Sequence, residues 1–227
     1  MSRVAENLAR VRERMAAACQ RAGREVAGVR LVAASKTVEP ARLAEALAAG
    51  QLVFGENYVQ EARRKAGELP GATWHLLGHL QTNKAAQAVR LFALIHSLDS
   101  VRLAEELDRR AAQLGKRQPV LIEVNLAGEL SKTGVGEAQA PEMARRVAAL
   151  PHLELLGLMC LPPFFDEPER ARPYFARLRE LRGELERALG LPLPELSMGM
   201  SGDYEVAIEE GATLVRVGTA IFGRRPV

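Results

Sequence analysis

Short apolar runs alternate with helical patterns along almost the whole chain, and this alternation constrains the fold more than any other feature. The runs fall at 31–35, 52–54, 73–77, 93–98, 119–126, 153–161, 195–200 and 213–217. Helical patterns fill most of the intervals, at 39–49, 58–67, 83–90, 100–114, 141–149, 168–189 and 203–210. Punctuation agrees: Asp99-Ser100 can cap a helix beginning near Val101, and Gly50, Gly115 and Gly190 stand where helices should stop. A strand buried on both faces reads as a continuous apolar run, and helical crossovers between strands make the sheet parallel. Eight such strands with no linker predict an α/β fold closed into a (β/α)8 TIM barrel rather than an open doubly wound sheet. The 227 residues suffice for one barrel. Residues 2–23 add an N-terminal helix, with Val4, Leu8, Val11 and Met15 along one face. The expected organisation is a single domain over 1–227, with long loops at 127–141 and 162–168.

Composition removes several functional classes. The net charge is +3, and the arginines interleave with glutamates, as over 177–187, in the manner of solvated helix faces rather than a nucleic-acid footprint. Aromatics make up 4% of the chain, too few for base-stacking platforms. Cys19 and Cys160 lie far apart and suggest neither a disulfide framework nor a metal site. The N-terminus is charged and amphipathic rather than secretory, and no apolar run is long enough to span a bilayer. The expectation is a cytoplasmic protein without membrane or nucleic-acid partners.

In a barrel of this kind the chemistry gathers where the strands end. The first strand runs into Lys36, an amine at the point where an apolar core opens into loops. Burial disfavours a charged ammonium, so such an amine can become a nucleophile toward aldehydes. The basic residues are nearly all arginine, which makes a lysine retained at a strand end look chosen for its amine. The plainer alternative is a strand-end lysine that snorkels to water. Asn57 follows the second strand as a candidate polar contact, and His79, Gln81 and Asn83 follow the third.

The seventh and eighth strands run into Ser201-Gly202 and Gly218-Thr219. Loops at these places often bind phosphate: glycines admit backbone N–H groups, hydroxyls donate, and Asp203 heads an expected helix whose N-terminus favours an anion. Ordinary turn and cap chemistry is the competing reading. Arg216 interrupts an apolar strand, and alternation puts it on the face of Leu214 and Gly218, pointing into the barrel. A buried arginine needs a partner, either an inward carboxylate such as Glu123 or a ligand. A Schiff-base lysine, a phosphate cradle and an inward arginine together suggest pyridoxal 5′-phosphate. Lys36 would take the aldehyde, Ser201, Gly218 and Thr219 the phosphate, and Arg216 the pyridine nitrogen. Arginine only donates, so it leaves that nitrogen unprotonated and weakens the ring as an electron sink.

Several segments carry a resemblance. Ala34-Ser35-Lys36-Thr37, Phe54-Gly55-Glu56-Asn57-Tyr58-Val59-Gln60-Glu61 and 74–84, Trp74 through Lys84, resemble the pyridoxal phosphate homeostasis protein family. So do Ser131-Lys132-Thr133-Gly134, Gly157-Leu158-Met159, Ser197-Met198-Gly199-Met200-Ser201 with Asp203, and 216–223. The likeness runs in order from about residue 3 to the end. It implies a barrel like the N-terminal domain of alanine racemase, the cofactor on Lys36, and a role in carrying or buffering it for apo-enzymes without an established catalytic activity. His79 departs from the family, which usually has proline there; it is expected to fill the loop. Trp74 and Phe54 are expected in the core, and His75, His96 and His152 in structural roles. Met159, Met198 and Met200 are expected to pack, with one in reach of the cofactor ring. Lys132 is read as surface charge or a second aldehyde-reactive amine.

Two enzymes compete with the carrier. A racemase needs a second base across the cofactor, for which Tyr58, Tyr174 and Tyr204 are the tyrosines available. A Schiff-base aldolase needs an acid–base group at the mouth, for which Glu56 or Glu123 would serve. A monomer is expected, because the barrel uses the largest apolar stripes.

Overall fold

The computed structural model describes residues 2–129 and 133–223. Eight parallel strands form the barrel: β1 Arg30–Ala34, β2 Val53–Glu56, β3 Thr73–Leu76, β4 Leu94–Leu98, β5 Gln118–Asn125, β6 Leu153–Cys160, β7 Glu195–Ser197 and β8 Leu214–Val217. They run β4-β3-β2-β1-β8-β7-β6-β5, and pairing of β4 with β5 closes the ring. A two-residue strand, Val135–Gly136, pairs with Val124 and Asn125 at the rim and was not legible as an apolar run.

The helices are α1 Arg3–Arg21, α2 Pro40–Ala48, α3 Val59–Glu68, α4 Ala85–Leu91, α5 Val101–Gln113, α6 Ala140–Ala148, α7 Arg172–Leu189, α8 Tyr204–Glu209 and α9 Thr219–Phe222. The extra helix α1 packs on α2, α8 and α9. It buries Val4, Leu8, Val11 and Met15, and the Ser2 hydroxyl accepts from the Ala5 N–H at 3.3 Å. Arg12 extends from α1 to donate to the carbonyls of Ala49 and Gly50 at 3.0 and 2.9 Å, groups that the end of α2 leaves unpaired.

Strand alternation sorts side chains between two cores. Val32, Leu94, Leu121, Met159 and Leu214 fill the barrel interior, while Leu31, Ala33, Val215 and Val217 face the helices. Arg216 shares the inward face of β8 with Leu214, and Val32 of β1 is its register partner. Gly157 lies where β6 meets β7 most closely. Its φ is +154°, and a Cβ there would stand 1.8 Å from the Glu195 carbonyl oxygen. Any side chain would force those strands apart.

The long apolar run at 195–200 is only half strand. The strand ends at Ser197, Met198 and Gly199 each keep one backbone bond to β8, at 3.1 and 3.0 Å, and the chain then turns through residues 200–203. Helix α9 was missed: four residues are too short for helical periodicity. Asn7 secures it against α1 by donating to the Ile221 carbonyl at 2.8 Å.

Candidate functional site

Five of the six expected site residues line one cavity of about 520 Å³ at the C-terminal mouth of the barrel: Lys36, Asn57, Arg216, Gly218 and Thr219. Ser201 stands beside them rather than in the wall. Its hydroxyl oxygen accepts from the N–H groups of Gly218 and Ala220 at 3.2 and 3.3 Å. Asp203 heads α8 at its N-cap position, as expected, with Ser201 and Gly202 just ahead of it. Its side chain makes no bond to the helix end; Oδ1 accepts from the Met200 N–H at 2.6 Å. The convergent N–H groups lie after β8, where α9 begins.

Lys36 is half-buried and lies two residues past β1, in a turn rather than in the strand. Its Nζ stands 5.6 Å from the centroid of the Tyr58 ring, a contact the sequence did not suggest. The next residue, Thr37, has φ +62°. A β-branched residue in the left-handed region stores about 1–3 kcal/mol of strain and persists only where its surroundings hold it. Here the Thr37 N–H donates to Glu61 Oε1 at 2.8 Å, and the Val38 N–H closes the turn on the Ser35 carbonyl at 2.9 Å. Asn57 is fixed by Gly78, where a Cβ would stand 2.5 Å from the Asn57 carbonyl oxygen.

Arg216 is buried and forms no ion pair among the described residues; the alternative of a pair with Glu123 is not what the fold provides. Glu123 accepts from Thr133 Oγ1 at 2.7 Å instead. Arg216 donates to Ser197 Oγ at 2.5 Å and to the Cys160 carbonyl at 2.9 Å. Both acceptors are neutral, so nothing in contact cancels the guanidinium charge. Burial lowers the Arg216 pKa from its ordinary value, yet a guanidinium stays charged in proteins.

Behind Ser197 runs a neutral chain that sequence reasoning left as separate structural histidines. His96 Nδ1 lies 2.8 Å from Ser197 Oγ, and His96 Nε2 lies 2.9 Å from His75 Nδ1. Arginine can only donate, so Ser197 accepts from it. A neutral His96 has one ring proton, so it donates on one side of the chain and accepts on the other, the tautomer setting which. Both rings are neutral: burial pulls His75 down to about 4 and holds His96 well below its ordinary value.

The remaining expectations divide. Phe54 and Trp74 are core, with ring centroids 5.6 Å apart. Met159 packs inside the barrel and Met198 outside it, while Met200 lines the cavity. His79 stands outside the cavity and pairs with Asp99 at 2.7 Å, and the imidazole of His152 lies 3.6 Å from Asp108. Tyr174 stacks on Phe165, and Tyr204 is buried at α8. Neither Glu56 nor Glu123 lines the cavity. Glu56 is fully buried and held by Lys65 and Ser35, both at 2.6 Å. The aldolase expectation loses both of its mouth carboxylates. Lys132 lies outside the described residues.

The donor set fits a phosphorylated aldehyde: the Lys36 amine, the guanidinium of Arg216 with no carboxylate in contact, a second guanidinium from Arg42, and the hydroxyls of Ser201 and Thr219. Comparisons with known proteins point the same way. A family model described as alanine racemase, N-terminal domain, matches residues 4–226. The pyridoxal phosphate homeostasis protein of Aquifex aeolicus is 49% identical over 222 residues, 97% of each chain. That of Pseudomonas aeruginosa is 46% identical over 228 residues, covering 99% of this chain and 97% of its own. A solved structure of PipY from Synechococcus elongatus with PLP bound is 42% identical, with a TM-score of 0.86 over 97% of this chain and 100% of that one. Alanine racemase from Corynebacterium glutamicum, 21% identical, has a TM-score of 0.70 over 99% of this chain and 62% of its own, a likeness of fold alone.

Proposed function

The chain belongs to the pyridoxal phosphate homeostasis protein family, and from that premise we propose that it binds pyridoxal 5′-phosphate on Lys36 as a Schiff base and buffers or delivers it inside the cell. The observation that carries the reading is the meeting, in one cavity, of a half-buried amine with a buried arginine that no carboxylate contacts among the described residues. The PLP-bound relative of the same fold supports it.

Bound, the cofactor supplies a reactive aldehyde and an electron-withdrawing ring. Lys36 would supply the amine that takes this aldehyde, with water released, and water or another amine would reverse the bond, as a reservoir requires. Arg216 would face the pyridine nitrogen and, able only to donate, leave it unprotonated. The site then retains the cofactor without making the ring a strong electron sink. Ser201 and Thr219 would hold the phosphate through their hydroxyls, with Gly218 admitting it close to the backbone; the N–H groups of Gly218 and Ala220 donate to Ser201 Oγ and leave its proton free for the ligand. Asn57 adds a polar contact at the opposite wall.

This reading assigns no catalytic residue and no metal. It describes a single barrel domain over 1–227, a cytoplasmic monomer that passes cofactor to PLP-dependent apo-enzymes. A racemase requires a second base facing Lys36 across the ring. Tyr58 presents its ring to the Lys36 amine, at 5.6 Å from the centroid, which argues for packing rather than proton transfer. The test is to load the purified protein with PLP, remove free cofactor, and add an apo-enzyme. Yellow protein that restores the apo-enzyme while leaving the α-proton of L-alanine unexchanged is the expected result. Sustained α-proton exchange with racemisation would replace the carrier by a racemase, and protein that stays colourless would remove the cofactor assignment.

A further inference from the structure

The turn that presents Lys36 rests on a buried charge cluster outside the cavity wall. Lys65 comes from α3 and has no exposed surface. Its ammonium donates to Glu56 Oε1 at 2.6 Å, to Glu61 Oε1 at 2.7 Å and to the Ser35 carbonyl at 2.7 Å. A lysine has three protons to give, and each is used. Each of these acceptors also holds the turn. The Ser35 carbonyl accepts from the Val38 N–H at 2.9 Å. Glu61 Oε1 accepts from the Thr37 N–H at 2.8 Å, and Glu56 Oε1 from the Ser35 hydroxyl at 2.6 Å.

Thr37, at φ +62°, needs this support. Without a cation between them, the buried carboxylate of Glu56 would face the partly exposed carboxylate of Glu61, and neither would stay where the turn requires it. The cluster also engages Glu56 and Glu61, while Glu39 lines the cavity, and among the described residues Lys36 has no carboxylate at ion-pair distance. We infer that Lys65 is a positioning residue: through Ser35 and Glu61 it fixes the strained turn that aims the Lys36 amine into the cavity. The inference rests on the reading of Lys36 as the attachment point.

The experiment compares wild type, Lys65→Met and the double variant Lys65→Met with Glu56→Gln, which removes the buried pair without leaving Glu56 charged. Three quantities are read: exchange of the Thr37 and Val38 amides without ligand, the rate at which added PLP becomes reducible onto Lys36 by borohydride, and the melting temperature. A misplaced amine is expected to slow loading about a hundredfold at temperatures where the variants are folded, with faster Thr37 exchange. The double variant should recover melting temperature more than loading rate, a split that a merely structural lysine would not produce. Should neither fold, Glu61→Gln takes their place. It keeps the shape at a partly exposed position but exchanges charge-assisted bonds for weaker neutral ones, and loading should slow roughly tenfold.

A folded variant that loads Lys36 at the wild-type rate, or keeps Thr37 exchange unchanged, overturns the role given to Lys65. Wild type that takes no adduct at Lys36 overturns the functional reading instead, and the amide exchange still decides whether Lys65 holds the turn.

Discussion

The two walls of the cavity hold their cationic side chains by opposite means. Behind Lys36 the support is ionic: the buried Lys65 ammonium between the carboxylates of Glu56 and Glu61. Behind Arg216 it is neutral: a hydroxyl, two uncharged imidazoles and a backbone carbonyl. The difference follows from what each support must fix. The Lys36 wall holds a strained turn, and charge-assisted bonds are about twice as strong as neutral ones. The Arg216 wall holds a side chain already rigid in a strand. There a carboxylate would neutralise the guanidinium and leave it nothing to offer a ligand. Neutral acceptors orient Arg216 and leave its charge available.

The comparison breaks most completely at the Lys36 amine. Lys36→Ala should abolish covalent cofactor while leaving the melting curve near wild type, because the turn's bonds come from Ser35, Thr37 and Val38 rather than from the lysine side chain. Absorbance after gel filtration checks this, and a folded variant that stays yellow would remove Lys36 from the role.

Arg216→Glu should cost the other wall about 3–5 kcal/mol, since it sets a carboxylate against the Cys160 carbonyl in a buried place. Urea denaturation measures the loss, and equilibrium dialysis should show weaker cofactor retention in the fraction still folded. Unchanged affinity would place Arg216 outside the site.

Acidification should separate the walls by their windows. The His75 pKa falls from 6.5 to about 4 on folding, through burial first and Arg30 second. The unfolded chain therefore binds a proton that the folded chain refuses. Stability is full above about 6.5 and falls as pH drops toward 4, by about 3 kcal/mol for the whole shift. Glu61 works in a lower window. Burial raises its pKa, but the bonds from Lys65 and the Thr37 N–H outweigh this and leave it lowered. Its contribution persists until pH falls below the ordinary carboxylate range. Urea midpoints at pH 7, 6 and 5 test the order, and His75→Phe should flatten the first loss.

The smallest effect belongs to the half-exposed His79–Asp99 pair at the rim. His79→Ala should change stability by less than about 1 kcal/mol and leave cofactor retention unchanged. A large loss of retention would bring His79 into the site.

How legible each wall was follows from what each is made of. The barrel was readable because buried parallel strands must be apolar runs, and inward and outward residues must alternate along them; Leu214, Arg216 and Gly218 fell on the expected face for that reason. Lys36, Asn57, Arg216, Gly218 and Thr219 were readable because they end or interrupt those runs. The supports were not. Ser197, His96 and His75 come from three different strands, and only closure of the barrel brings them into line. Lys65 carried a faint signal, a lysine in a chain that prefers arginine, four residues after Glu61. Its spacing reads as an ordinary exposed helix pair, and nothing local shows that the pair is buried. The short helix that follows Gly218 was not legible, because the four residues Thr219–Phe222 are too few to show a period.

The most direct measurement of the central claim is borohydride reduction of the PLP-treated protein, followed by peptide mapping with mass spectrometry. A phosphopyridoxyl group on Lys36 is expected as the dominant product. No adduct with cofactor in excess, or an adduct spread over surface lysines with Lys36 unmodified, would contradict it.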